Sequence, residues 1–422
     1  SVSVIDGSAG VVLRLALGIA LAGCNSLLDN GDFRGPSAPD PARCTSRGLP
    51  PTTLTGTVFA PNGTLPIYNA QVYAPTAALA DIPDGASGPI CASGSPVALT
   101  SSDSHGNFTL EGVPSGANVP IVIQVGKWRR AITVASVPEC TVTALDPGTT
   151  RLPRDHGEGH IPHLAIGTGR GDNVECIARD IGVADSEITT GPTSSGRVRL
   201  YNVNGASTLA ADGSAIEPAS ALLTPAMLPQ YDAVMLGCPS NTTASPATPD
   251  SAKALLDYAN QGGWVWLSHH GFDWLAMAPA PWTGIATFNP ATLNIPATTL
   301  LIDQGSPHGQ AFAEWALATG ASVALAQIAF RGGMVTGFCQ AADPAITQRL
   351  LTLNPSSGID VEMFTWDAAL GGRLVFSDLH RTVSLPTGGD FLDAVYPTDC
   401  TALAPQDAAI QFELFDAPAC MR

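Results

Sequence analysis

Short runs of alternating apolar and polar residues extend from residue 52 to about residue 147. They include LTGTVFA, NAQVYA, GNFTLEGV and IVIQV, and turn-forming residues separate them. Asn62-Gly63 and His105-Gly106-Asn107 stand where hairpins need turns, because glycine adopts positive φ without a steric cost. This pattern predicts a small antiparallel β-sandwich over residues 52–147.

From about residue 160 the pattern changes to apolar runs that alternate with helix-like segments. HLAIGTG (163–169), RVRLYNV, YDAVMLGC (231–238) and WVWLSHH (264–270) predict strands, whereas NVECIARDIG and SAKALLDYANQGG predict helices. Strands that alternate with helices form parallel sheets covered on both faces. Residues 160–422 are therefore predicted as a doubly wound, flavodoxin-like α/β domain, and the chain as multidomain.

The C-terminal part continues this domain. GGMVTGF, AITQRLLTL, IDVEMFTWDA and GRLVFSDLH extend the α/β pattern, and PQDAAIQFELFD (405–416) predicts a terminal helix packed on the sheet. Residues 276–325 are rich in Pro, Ala and Thr. We interpret this stretch as an insertion or a lid.

An apolar run, VVLRLALGIALAGC, covers residues 11–24. It is too short to cross a bilayer, which needs roughly 20 apolar residues. It resembles a bacterial lipoprotein signal, which implies a signal peptide over residues 1–24, lipidation at Cys24 and export to the outer membrane or cell surface. Residues 25–51 have the composition of a Pro/Gly-rich linker. The alternative is a buried N-terminal strand or helix.

The charge of the chain argues against nucleic acid and anionic lipid surfaces as partners. The net charge is -17, and Lys127 and Lys253 are the only lysines. Binding to phosphate groups needs clustered Lys and Arg. The expected partners are the membrane, reached through the lipid anchor, and a protein or carbohydrate ligand.

Nine cysteines are present, and an odd number is awkward for an exported protein. Lipidation of Cys24 leaves eight, which allow up to four disulfides in an oxidising compartment. We prefer a Cys400–Cys420 pair that closes the C-terminal segment, and we give Cys176–Cys238 as a weaker pairing, since spacing alone does not determine connectivity. No CxxC spacing occurs, which argues against a structural zinc site of that type.

Polar side chains follow several of the predicted strands, where ligands bind in doubly wound sheets. The candidates for a binding crevice are Cys238, Ser268, His269, His270, Asp273, Asp378 and His380. Among them His269 or His270, with Asp378 and His380, forms a candidate metal set. Two histidines and a carboxylate hold zinc with an open position for water. The alternative is that these groups only hydrogen-bond one another. Adjacent residues of a strand point to opposite sides, so at most one of the two neighbouring histidines is expected to face the crevice.

The first domain resembles a known sandwich family. The segment TSSDSHGNFTLEGVPSG (100–116), preceded by PNG and followed by IVIQV, is similar to the carboxypeptidase regulatory-like, transthyretin-like family. The resemblance implies a spacer, adhesion or binding module without catalytic residues.

The second domain resembles the class I glutamine-amidotransferase-like superfamily and its ThuA-like branch, on YDAVMLGC, LLDYANQGGWVWLSHH and GGRLVFSDLH. The resemblance implies that Ser268 lies near the nucleophile elbow and that His380 occupies the catalytic histidine position. An elbow needs small neighbours, yet Trp266 and His270 flank Ser268. Thr382 replaces the acid that orients the histidine.

The leading interpretation is a surface-anchored or periplasmic binding or interaction protein whose α/β domain lacks a working nucleophile. The alternative is a metal-assisted hydrolase that acts on envelope or extracellular material with His269 or His270, Asp378 and His380. A second alternative is a structural subunit of a surface assembly. The whole arrangement resembles exported lipoproteins of myxobacteria-like, GC-rich bacteria.

Overall fold

The structure is a computed structural model in which residues 36–422 form one compact unit. The residues that it describes are 41–191, 195–240, 242–330, 333–353, 363–381, 395–397, 400 and 404–416. The predictions that concern the signal peptide, Cys24, residues 25–40 of the linker and Cys420 lie outside these residues.

The described elements are mostly strands. The strands are β1 (Thr53–Thr57), β2 (Gln71–Pro75), β3 (Pro96–Ser101), β4 (Asn107–Glu111), β5 (Gly116–Val125), β6 (Trp128–Val137), β7 (Val142–Ala144), β8 (Leu164–Thr168), β9 (Ile188–Thr189), β10 (Val198–Asn202), β11 (Thr208–Leu209), β12 (Glu217–Pro218), β13 (Ala233–Leu236), β14 (Trp264–Ser268), β15 (Ala286–Ile295), β16 (Thr298–Ile302), β17 (Gln327–Phe330), β18 (Gly333–Ala342), β19 (Gln348–Thr352), β20 (Met363–Asp367), β21 (Arg373–Ser377) and β22 (Val395–Tyr396). The α-helices are α1 (Pro41–Thr45), α2 (Ile177–Asp180), α3 (Ala219–Leu222), α4 (Pro249–Asn260), α5 (Phe272–Met277), α6 (Pro307–Ala318) and α7 (Ala408–Asp416).

The first seven strands form two small sheets, with the orders β4-β1-β7 and β3-β2-β5-β6. Buried side chains from both sheets, such as Leu54 and Ile123, belong to one core. The residues of β4 alternate between exposed and buried, as the sequence pattern requires of a half-buried strand. Gly63 and Gly106 have φ of 75° and 76°, so both predicted turns use glycine in the left-handed region. The arrangement is sandwich-like, although β1 and β7 pair in parallel.

The large sheet has the order β12-β10-β8-β13-β14-β21-β20-β19-β16-β17, and β9 also pairs with β10. Strands β12 to β21 of this order run parallel, and the pairs after β21 are antiparallel. All five residues of β8 and of β14 are buried, which explains why their sequences are continuous apolar runs. Of the predicted sandwich followed by an α/β domain, the described part confirms the coarser feature, a β-rich fold with several sheets.

The C-terminal half of the sheet differs from the α/β alternation that the sequence predicted. Met363–Asp367 and Arg373–Ser377 form a hairpin, in which the N–H of Ala368 donates to the carbonyl of Gly372 at 2.8 Å. A connection this short joins only antiparallel strands, because a parallel crossover needs a dozen residues or more. The predicted insertion, residues 276–325, contains β15, β16 and α6, and β16 is a member of the large sheet.

Helix α4 precedes the central strand β14, and capping residues at its N-terminus explain where it begins. The Thr248 hydroxyl accepts the N–H of Ser251 and the Ser251 hydroxyl accepts the N–H of Thr248, which is a capping box with Pro249 as the first helical residue. Gly262 follows the helix with φ of 100°. The capping box and Gly262 therefore determine the two ends of α4 and the point at which β14 begins.

The sandwich-like sheets and the large sheet share one core. Leu54, Leu164 and Phe412 belong to the same buried cluster, and the Trp128 and Phe415 rings lie 5.6 Å apart. The Lys127 ammonium pairs with the Asp232 carboxylate across the junction, and each side chain is only 6% exposed. Helix α7, which the sequence predicted, packs on both parts of the chain.

The disulfides differ from the predicted pairs. Cys44 pairs with Cys140, and Cys176 pairs with Cys400 across 224 positions of sequence. Both predicted pairs are wrong, because each requires a cysteine that bonds elsewhere. Cys91 is also disulfide-bonded, whereas Cys238 is a buried thiol. No helix within the described ranges is long and apolar enough to cross a membrane.

His308 on α6 bridges two carboxylates of α7, with its Nε2 2.6 Å from Glu413 and its Nδ1 2.6 Å from Asp416. Burial alone lowers the pKa of His308, but the two carboxylates outweigh it and raise the pKa from 6.5 to about 10. The folded state therefore keeps a proton that the unfolded state loses between these values. The stabilisation is complete below about pH 6.5 and is lost as the pH rises to about 10.

We predict that His308→Gln lowers the melting temperature at pH 6, and that the difference from the unmodified protein shrinks between pH 6.5 and pH 10. Thermal melts at several pH values measure this difference. His105→Gln, at an exposed histidine, is the matched control and should show no such trend. A difference that grows with pH would contradict the assignment.

Candidate metal centre

Four parallel strands bring polar side chains to one edge of the large sheet. Strands β8, β13, β14 and β21 are neighbours in that order. Asp172 follows β8, Cys238 follows β13, His269 follows β14, and His380 follows β21. The carboxyl ends of parallel strands meet at one edge, which is where ligands bind in open α/β sheets.

Three potential metal ligands converge there. The sulfur of Cys238 lies 3.4 Å from Nδ1 of His269, and that nitrogen lies 3.0 Å from Nε2 of His380. All three ligand atoms lie within 4.8 Å of one another. Tetrahedral zinc with bonds of about 2.0 Å to nitrogen and about 2.3 Å to sulfur places its nitrogens about 3.3 Å apart and nitrogen and sulfur about 3.5 Å apart. The group could therefore hold a metal ion with only small adjustments.

The Cys238 thiol is completely buried. Burial is the main reason that its pKa is raised well above the ordinary value, and the nearby Asp172 carboxylate raises it further. Backbone N–H groups of His270 and Ser240 contact the sulfur and act in the opposite direction. The thiol is thus protonated at neutral pH, which makes it a poor nucleophile until a cation or base takes the proton.

Asp172 links the ends of three strands. Its Oδ1 accepts the N–H of Cys238 at 2.9 Å, and its Oδ2 accepts the hydroxyl of Ser268. Only 1% of Asp172 is exposed, and this burial raises its pKa. The proton of the Ser268 hydroxyl is therefore held by a carboxylate, although the amidotransferase resemblance gives Ser268 the role of nucleophile.

The two neighbouring histidines do not continue the strand as predicted. Strand β14 ends at Ser268, and His269 has φ of 39°, a left-handed conformation that is uncommon for a residue with a side chain. The chain turns here, so strand alternation no longer applies, and the His269 and His270 rings lie 4.4 Å apart. Only His269 contributes to the three-ligand group. Burial, with a smaller effect from His380, lowers the pKa of His270 to about 4.

The two aspartates of the predicted crevice lie outside the ligand group. The Oδ2 of Asp378 accepts the N–H of Cys339 at 2.6 Å, which connects β21 to β18. Asp273 is buried on α5, and its burial raises its pKa. Of the predicted metal ligands, His269 and His380 lie together in the structure. The third ligand is Cys238 and not Asp378, which we had predicted. The position of Cys238 at the end of β13 indicated that it could be a ligand. The predicted Cys176–Cys238 disulfide had assigned its sulfur to another role.

Glycines let the loop after β8 approach Cys238. A Cβ on Gly171 would lie 2.7 Å from the Cys238 sulfur, and a Cβ on Gly169 would lie 2.6 Å from the Cys238 carbonyl oxygen. Real Cβ atoms do not approach other atoms so closely. The loop therefore packs directly against the thiol.

No family model and no curated protein matches the chain. Two solved structures are similar to parts of it, and both are described as interface mutants of the type II Cohesin-X-Dockerin complex from Acetivibrio cellulolyticus. One is 16% identical over 27% of this chain and 67% of that chain, with a TM-score of 0.16. The other is 14% identical over 31% of this chain and 84% of that chain, with a TM-score of 0.17. These scores are too low to assign a fold or a partner.

We predict that Gly171→Ala displaces the Cys238 thiol, because the added methyl group overlaps the sulfur. Overpacking of this kind costs about 1–3 kcal/mol. The melting temperature should fall, and mass spectrometry should show faster alkylation of Cys238. Gly191→Ala is the matched control, since no atom of the described residues lies within 4 Å of its added Cβ. Equal behaviour of the two variants would show that the loop does not constrain the thiol.

Proposed function

We propose that Cys238, His269 and His380 bind a zinc ion and that the protein is a metal-assisted hydrolase. The observation that carries this proposal is the position of the three ligand atoms within 4.8 Å of one another at the carboxyl edge of the sheet. Catalytic zinc sites use three protein ligands and leave a fourth position for water, whereas structural sites use four.

The donor set favours zinc among the common metals. A thiolate and two neutral imidazoles are ligands of zinc and copper, while calcium and magnesium prefer oxygen ligands. Bound zinc lowers the pKa of a water molecule to about 7 and polarises carbonyl groups. The pKa of the ligand His380 is lowered mainly by burial, which supports a site of neutral imidazoles.

Contacts within this chain orient the ligands. Asp172 fixes the backbone of Cys238 and the hydroxyl that precedes His269. Arg381, which follows His380 directly, pairs with Asp180 of α2 at 2.9 Å. These contacts hold one ligand, Cys238, and the chain neighbours of the other two, which is the preorganisation that a metal site needs.

The proposed setting is an exported, lipid-anchored protein with an amidotransferase-like, doubly wound domain. The disulfides Cys44–Cys140 and Cys176–Cys400 support an oxidising compartment. The parallel order β10-β8-β13-β14-β21 supports the doubly wound domain, because it follows the 2-1-3-4-5 pattern of such folds. Envelope or extracellular material is the proposed source of substrate.

A binding role without catalysis is the second candidate. It is favoured by the burial of the centre, since Cys238 is 0% and His269 is 3% exposed. A site this closed could hold a metal, or a hydrogen-bonded Cys–His–His group, without admitting a substrate. The two roles differ in whether an exchangeable ligand reaches the metal.

We predict that the purified full chain binds about one zinc ion, and that Cys238→Ser and His380→Ala abolish this stoichiometry because each removes a ligand. Elemental analysis measures zinc directly. After cobalt exchange, loss of the thiolate-to-cobalt absorption in Cys238→Ser identifies the sulfur ligand. His105→Ala is the matched control at an exposed histidine.

Hydrolysis of a panel of esters and amides should follow zinc content through chelation and zinc re-addition. Stoichiometric zinc without any metal-dependent hydrolysis favours the binding role. Absence of zinc from the unmodified protein, together with unchanged behaviour of both variants, would exclude the metal centre.

A further inference from the structure

Two buried polar atoms beside the ligand group have no hydrogen-bond partner among the described residues. They are Nδ1 of His270 and Oδ2 of Asp273, and the two residues are 4% and 7% exposed. The Asp273 carboxylate does hydrogen-bond the side chain of Ser245, so one of its oxygens remains for another partner. Native proteins rarely leave buried polar atoms unpaired, and each such atom needs an explanation such as a ligand.

Both atoms belong to the segment that carries the ligand His269. His270 is the next residue, and its ring lies 4.4 Å from the His269 ring. Asp273 stands in the first turn of α5 and is close enough to Cys238 to raise the pKa of that thiol. The two residues that carry the unpaired atoms thus adjoin ligands of the proposed metal.

Apolar rings stand beside these two polar atoms. The Phe272 ring lies 5.3 Å from the His270 ring and stacks on Phe288 at 5.1 Å. Both phenylalanines are only partly buried. Ligand sites commonly combine such apolar walls with a few polar groups that fix the orientation of the ligand.

The hydrogen-bonding roles select the chemical class of the ligand group. A carboxylate only accepts hydrogen bonds, whereas a carboxylic acid also donates one, so the partner of Asp273 has to suit either form. Nδ1 of His270 is a donor or an acceptor according to its tautomer. A hydroxyl group both donates and accepts, and it satisfies either tautomer. An ammonium group only donates, and a neighbouring zinc ion would repel it.

We propose that His270 Nδ1 and Asp273 Oδ2 form a subsite for the hydroxyl group of a ligand whose other end occupies the open position of the metal. This inference rests on the proposed metal centre. The hydroxyl group could belong to a sugar, a glycerol derivative or a hydroxylated amino acid, and all three present the same chemistry to the subsite.

The test uses matched probes that reach the metal through a hydroxamate group. The full chain, loaded with zinc, is titrated calorimetrically with propanohydroxamic acid and with its 2-hydroxy and 3-hydroxy derivatives. We expect at least one hydroxyl position to tighten binding by about tenfold, the gain of one hydrogen bond to a charged group. In His270→Phe and Asp273→Leu this gain should disappear, while the affinity for propanohydroxamic acid is retained. Asp81→Leu, at an exposed aspartate, is the matched control.

The outcomes separate this inference from the proposed function. If zinc does not bind, the metal centre fails and the subsite fails with it. If zinc and propanohydroxamic acid bind but neither hydroxyl gives a gain, or the gain persists in both variants, only the subsite is overturned. Zinc content and melting temperature verify that each variant is folded, and Asp273→Asn replaces Asp273→Leu if the latter loses zinc. Once a position is found, a methyl glucoside, glycerol and serine used as competitors distinguish the three sources.

Discussion

The candidate site depends on the hydrogen bonds that the buried carboxylate of Asp172 accepts. This carboxylate accepts the backbone N–H of Cys238 and the hydroxyl of Ser268, so the end of β8 holds the ends of β13 and β14 in register. The same loop leads into α2, where Asp180 pairs with Arg381 after β21. Breaking a buried charged network by removing one partner costs about 3–5 kcal/mol. One short segment therefore sets the spacing of all three potential ligands.

The electrostatics of this edge fit a cation better than a nucleophile. Burial raises the pKa of both the Cys238 thiol and the Asp172 carboxyl, because a dry interior disfavours the charged form of each group, and the Asp172 carboxylate raises the pKa of the thiol further. A divalent ion would stabilise both anions at once and would displace the thiol proton. Ser268 lacks the small neighbours of a nucleophile elbow, and its hydroxyl donates to the Asp172 carboxylate. Both features argue against a serine nucleophile.

The predicted sandwich and the predicted α/β domain pack against each other in one core. The sandwich-like sheets and the large sheet differ in strand pattern, yet Leu54, Leu164 and Phe412 lie in one core. Helix α7 contributes to this core from the far end of the chain, and the buried Lys127–Asp232 pair crosses the junction. Burial of an apolar face is favourable whichever apolar surface covers it. The covering element therefore does not have to be near in sequence.

Sequence alone determined the local elements and the types of the candidate residues. The apolar runs at 163–169 and 231–238 contain β8 and β13, the segment SAKALLDYANQGG contains most of α4, and Cys238 and His380 stand at the ends of strands as expected. Tertiary structure decided the rest: the Cys176–Cys400 pairing, the antiparallel half of the sheet, and the choice of Cys238 over Asp378. Strand signals come from side chains close together in the chain. Partner choice depends on contacts between residues far apart in the chain, such as Cys176 with Cys400 or Trp128 with Phe415, for which one sequence carries no local signal.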